Sequence, residues 1–175
     1  TAKFGEDYNS RSVQSYSNSW SSTYNGFQVD ITNANNNANG WSYIKMGSKT
    51  AASTGTITTN AKIDAAITQV SLTIDAITVN NITSITLKTA TSSNGTYTSV
   101  GTFTKATGTQ TVTLASPTAN LFYKIEVVCD KGSSNGLITI SQVDYYKSDV
   151  VSTCTTNPTV SAGSPPSNVT TTTAT

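Results

Sequence analysis

Five aromatic side chains, Tyr16, Trp20, Tyr24, Trp41 and Tyr43, bracket a stretch at residues 33–39 made mostly of Asn and Ala. Aromatic rings stack on the apolar C–H face of a sugar, and side-chain amides bond to its hydroxyls, so the pattern points to glycan recognition. Trp20, Tyr24, Trp41, Tyr43 and Asn36 are the expected ligand contacts. The competing expectation is that Trp20 and Trp41 anchor a core, as large aromatics commonly do in sandwiches. A second constellation is acidic. Glu6 and Asp7 near the start meet Asp144 near the end if the terminal strands lie side by side. Carboxylates with backbone carbonyls then make an adequate calcium cage, which would be structural. The competing expectation is scattered surface charge. No other cofactor is implied.

Other chemistry is excluded or disfavoured by residue type. The chain has no histidine, which removes the usual general base near neutral pH, Ser-His-Asp and Cys-His catalysis, and imidazole-bound zinc. A glycosidase needs two carboxylates about 5 to 9 Å apart in a cleft. Only nine acidic residues are present, and no two stand in the aromatic context that a cleft would supply. The segment Gly132-Ser133-Ser134-Asn135-Gly136 lies between two expected strands, whereas a phosphate loop must open a helix. It reads as a hairpin loop. Asn-Xaa-Thr triplets at Asn81, Asn94 and Asn168 match the glycosylation pattern but arise readily in a Thr-rich chain.

The elements that must position these groups are strands. Charged residues are 11% of the 175, against about 25% in an average domain. Thr and Ser make up about a third of the chain, and β-branched Thr suits the solvent face of a pleated strand. This chemistry is typical of extracellular β-modules. Net charge is +1, so no field draws nucleic acid or an anionic membrane. No apolar run approaches the ~18 residues of a membrane span. A start at Thr1 fits a mature product after signal-peptide removal, although a trimmed chain would look the same.

Alternation of apolar and polar residues predicts strands at 26–31, 41–46, 54–58, 70–74, 85–87, 97–103, 110–114, 121–129 and 137–146. The longest apolar face lines up Leu121, Tyr123, Ile125, Val127 and Cys129. Helix signals are almost absent, and no βαβ rhythm occurs. The expected fold is all-β, an antiparallel sandwich over residues 1–148. Residues 149–175, with Pro158, Pro165 and Pro166, read as a linker or the first strand of a truncated downstream domain. If 121–129 and 137–147 form a hairpin, the second strand carries the chain about 30 Å from Cys129. Only Ser148 to Thr153 remain to bring Cys154 back, barely enough at full extension, so a buried Cys129, with Cys154 pairing outside this chain, is favoured over an internal disulfide.

The run Trp41-Ser42-Tyr43-Ile44-Lys45-Met46-Gly47, the segment Ser53-Thr54-Gly55-Thr56-Ile57-Thr58-Thr59, and Lys131-Gly132-Ser133-Ser134-Asn135-Gly136 before Val143-Asp144-Tyr145-Tyr146 resemble jelly-roll modules. Such modules stand at the N-terminus of secreted multidomain surface proteins of Bacteroidetes-type bacteria. The stretch Cys154-Thr155-Thr156-Asn157-Pro158-Thr159-Val160 is similar to the start of an immunoglobulin- or fibronectin-like repeat. The wider similarity is to galactose-binding-like and carbohydrate-binding sandwiches, and it is architectural. The resemblance implies a jelly-roll fold and an extracellular or cell-surface location, and it carries no catalytic residue across.

Together these features predict a non-catalytic adhesion or binding module recognising a glycan or surface polysaccharide, with no nucleic-acid partner and no membrane insertion. The alternative is a structural subunit of a surface layer, an appendage or a phage virion, working through self-association or downstream domains.

Overall fold

A computed structural model describes residues 1–4, 16, 19–36 and 42–148. Twelve strands are present among them: β1 (Ala2–Lys3), β2 (Ser19–Tyr24), β3 (Phe27–Thr32), β4 (Ala34–Asn35), β5 (Ile44–Met46), β6 (Ser53–Thr59), β7 (Ile67–Ile77), β8 (Ile82–Ala90), β9 (Thr98–Thr102), β10 (Gly108–Thr113), β11 (Phe122–Cys129) and β12 (Ile138–Lys147). They form two antiparallel sheets. One has the order β10-β7-β12-β5-β4, with β1 also pairing β12, and the other the order β2-β3-β6-β11-β8-β9. From β5 onward every connection except β8–β9 crosses from one sheet to the other.

Period-two alternation explains why the sheets stack. On the inner face of the second sheet, Trp20, Ile31, Ile57, Ile125, Leu87 and Gly101 stand opposite one another strand by strand. Against them the first sheet sets Leu72 beside Val143 and Ala2, and Ile74 beside Ile140 and Ile44. All of these except Gly101 are buried, each large side chain contributing about 1.5–3 kcal/mol relative to exposure. Gly101 ends its row because edge strand β9 closes onto β10, and a Cβ there would collide with Val112 Cγ1. The long apolar face expected on residues 121–129 is present, with Tyr123, Ile125, Val127 and Cys129 buried.

Three sequence expectations change. Residues 121–129 and 137–147 are not a hairpin, because β11 and β12 lie in different sheets. Leu137 is drawn into the core where the chain crosses, packed closely against Gly47 and Gly132. Cys129 still ends up far from the end of β12, since Ile138, not Lys147, begins at its end of the sandwich. Cys154 lies outside the described residues, and Cys129 is a buried free thiol. The second change is β2, an unpredicted strand. Its inner face offers Trp20, Ser22 and Tyr24 rather than a run of hydrophobes. Ser22 is tolerated there because its hydroxyl donates to Lys3 O at 2.8 Å. Asn25 and Gly26, both at positive φ (49° and 77°), form the β2–β3 turn, the backbone that a tight hairpin demands. Third, of the described part of the 41–46 strand, Ser42 and Tyr43 stay outside the sheet and Ile44–Met46 form β5.

Candidate functional site

The strand register gathers loops at two ends. At one end lie the residues following β3, the 47–52 connection, and the 130–137 crossing. Their sequence explains their shape. Gly47 takes φ 89° at the end of β5, a conformation that favours glycine, and its carbonyl accepts from Gly136 N at 2.9 Å. Gly132 N donates to Ser48 O at 3.0 Å. Asn135 Oδ1 accepts from Lys49 N at 3.0 Å, and Thr50 N donates to Ser48 Oγ at 3.1 Å. Two sequence-distant loops are thereby clamped together. Asn33, at φ 53°, leaves β3 in the left-handed region and donates Nδ2 to Thr54 O at 2.8 Å.

Between these loops runs an open groove of about 490 Å³ lined by Tyr16, Asn33, Ser48, Thr50, Ser53 and Asn135, with Ala51 and Ala52 completing it. None of these is a charged side chain. Burial pushes the Tyr16 phenol above its ordinary value, so at neutral pH it is a neutral hydroxyl on a ring. Asn33 Nδ2 and Asn135 Oδ1 are held by backbone, which leaves Asn33 Oδ1 as an acceptor and Asn135 Nδ2 as a donor for a ligand.

Of the residues expected at a sugar site, the described ones, Trp20, Tyr24, Tyr43 and Asn36, do not line the groove. Trp20 is 7% exposed and its Nε1 donates to Ala34 O at 3.1 Å, so it is a core anchor and not a stacking platform. Asn36 is fully buried, with neither amide atom hydrogen-bonded, and does not face solvent as a ligand contact must. Tyr24 sits at the β2–β3 hairpin under Lys3, whose Nζ is 5.0 Å from the ring centroid. Tyr43 lies beside Lys45, with Nζ 5.6 Å from its ring. Trp41 lies outside the described residues. Of the wider aromatic and amide set, Tyr16 and Asn33 do meet in the groove. Ser48, Thr50, Ser53 and Asn135 were missed because the β5–β12 pairing that joins their loops is non-local. The Asn135-Gly136 turn was the one visible signal.

The acidic constellation is seen only in part. β1 pairs with β12, so the terminal segments lie side by side. Asp144 accepts from Thr1 Oγ1 and Gln142 Nε2, both at 2.6 Å. Glu6 and Asp7 lie outside the described residues, and among the described residues no three His, Cys, Asp or Glu side chains cluster to hold a metal. Cys129 is unsuited to nucleophilic work, since burial, reinforced by the Asp130 charge, pushes its thiol up to about 11. Among the described residues no helix is long and apolar enough to cross a membrane. Comparison with protein-family models, curated proteins and solved structures returns no match to this chain.

Proposed function

We propose that this chain is a non-catalytic, extracellular jelly-roll module that holds a neutral glycan in the groove between the 47–52 and 130–137 loops. The observation that carries the reading is the groove's lining, made of amides, hydroxyls, one phenol and two alanines, with no charged side chain among the described residues. An uncharged polyol matches donors and acceptors of that kind and loses less on leaving water than an ionic ligand would. The jelly-roll reading draws support from β5–β12, whose neighbours run β5-β12-β7-β10 in one sheet and β6-β11-β8-β9 in the other. The scarcity of charge and abundance of Thr and Ser favour an extracellular or cell-surface setting. The similarity to secreted Bacteroidetes-type surface modules belongs with this proposal.

Affinity electrophoresis through gels containing neutral or acidic polysaccharides tests it. Retardation by a neutral polysaccharide, lost in Asn135→Ala and Tyr16→Ala proteins that remain folded and unfold cooperatively well above the temperature of the gel, is expected. Retardation that persists in both variants overturns the site. Concentration-dependent self-assembly with no retardation favours the structural-subunit alternative.

A further inference from the structure

At the opposite end of the sandwich, a pocket of about 330 Å³ opens where the β2–β3 hairpin meets the chain leaving β6. Phe27, Gln28, Asn60, Lys62, Ile63 and Asp64 line it. We propose that this pocket is a second site, selective for a protonated alkylamine such as a lysine-type side chain or a free diamine. The inference does not rest on the groove reading.

Asp30, outside the lining itself, binds two of the lining side chains. Its Oδ2 accepts from Asn60 Nδ2 at 2.9 Å, and its Oδ1 from Gln28 Nε2 at 3.3 Å and Ser21 Oγ at 2.7 Å. A carboxylate only accepts, so both amides must turn their NH2 groups toward it. Burial raises the Asp30 carboxyl, but the hydrogen bonds from Asn60, Ser21 and Gln28 outweigh it and leave it below its usual value. The charged form that orients the amides is therefore the native one. Gln28 Oε1 and Asn60 Oδ1, with no hydrogen bond of their own, remain as two fixed acceptors among the pocket-lining side chains.

The rest of the lining completes the match. Asp64 adds a carboxylate. Phe27, held by Tyr145 at 5.5 Å between ring centroids, adds an aromatic ring, and Ile63 an apolar wall for a stem. Acceptors, a negative charge and a π-system favour an ammonium over a neutral or anionic group. Lys62 is the one charged donor among the described lining residues. Like Asp64 it is exposed, and it opposes a cation rather than selecting it.

NMR titration of the full chain with n-butylammonium, and with n-butanol and butyrate as neutral and anionic counterparts, reads this directly. The amine should shift the signals of Phe27, Gln28, Asn60 and Asp64 at millimolar concentration, with the two counterparts about threefold or more weaker. Asp64→Asn should weaken amine binding and Lys62→Gln should strengthen it, with the spectrum otherwise native. A blocked lysine and cadaverine serve as further probes. Binding of either keeps the assignment, and their ratio separates a protein-borne amine from a free one. Equal binding of butanol, no shifts with the amine, tighter binding by calcium at the same residues, or a loss on Lys62→Gln overturns it.

Discussion

At the groove end of the sandwich the side chains that fix loop geometry are amides and hydroxyls bonded to backbone. At the Asp30 end the same amide chemistry converges on one carboxylate. Asn135 and Asn33 each commit one atom to a main-chain partner, so no group in that arrangement changes charge near neutral pH. Asn60, Gln28 and Ser21 all depend on Asp30 being ionised. In a chain with few charges, a single half-buried carboxylate becomes the organising group of its neighbourhood, while the amide-built end is indifferent to pH. The difference also bears on recognition. The first end offers balanced donors and acceptors, and the second mostly acceptors.

The largest effect expected comes from the residue whose role differs most from a ligand platform. Trp20→Ala should lower unfolding free energy by about 3–5 kcal/mol in urea titration, disturbing both ends through the shared core. Trp20→Phe should keep glycan retardation while losing the indole bond to Ala34 O and part of the buried ring volume. If Trp20→Ala abolishes binding without destabilising the fold, the core assignment is wrong.

Leu137→Ala comes next, at about 2–5 kcal/mol, because Leu137 fills the space between Gly47 and Gly132. Its signature is local. Signals of the 47–52 and 130–137 loops should broaden, while the Asp30 network stays unchanged.

Asp30→Asn should cost about 1–3 kcal/mol and should alter the pH profile. The folded carboxyl of Asp30 lies below its unfolded value. Its contribution is therefore complete above the unfolded value of about 3.9 and is lost as pH falls through the lower folded value. The wild-type denaturation midpoint should fall across that acidic window, and the Asn variant should lack that part of the fall. Asn135→Ala, the smallest effect at about 0.5–1.5 kcal/mol, should retain the wild-type acid profile. Matching profiles for the two variants would erase the contrast between the ends.

Much of this architecture is legible in residue order. Alternation placed strands near β3 and from β6 to β12, and the Val127 and Cys129 positions faced inward as their pattern requires. What alternation does not carry is which sheet a strand joins. The 130–136 loop has turn chemistry suited to a hairpin, yet the packing of Leu137 between two glycines sends the chain across the sandwich. β2 was hidden for a different reason, since Ser22 occupies an inward position through a bond to Lys3 O that no local pattern reveals. The groove shares this limit. Tyr16 and Asn33 belong to the aromatic and amide set visible in the sequence, but Ser48 and Asn135 meet only through β5–β12 pairing. Trp20 and Asn36 have the right chemistry for a sugar and the wrong exposure.

If the amide-built end holds an uncharged ligand, titrating labelled protein with oligosaccharides cut from whichever neutral polysaccharide retards it should shift the amide groups of Asn33 and Asn135 and the backbone across residues 48–53. Those shifts should be unchanged between pH 5 and pH 8, with Phe27, Gln28 and Asn60 silent. Shifts confined to the Asp30 end, or spread along the outer sheet face with the groove silent, would contradict it.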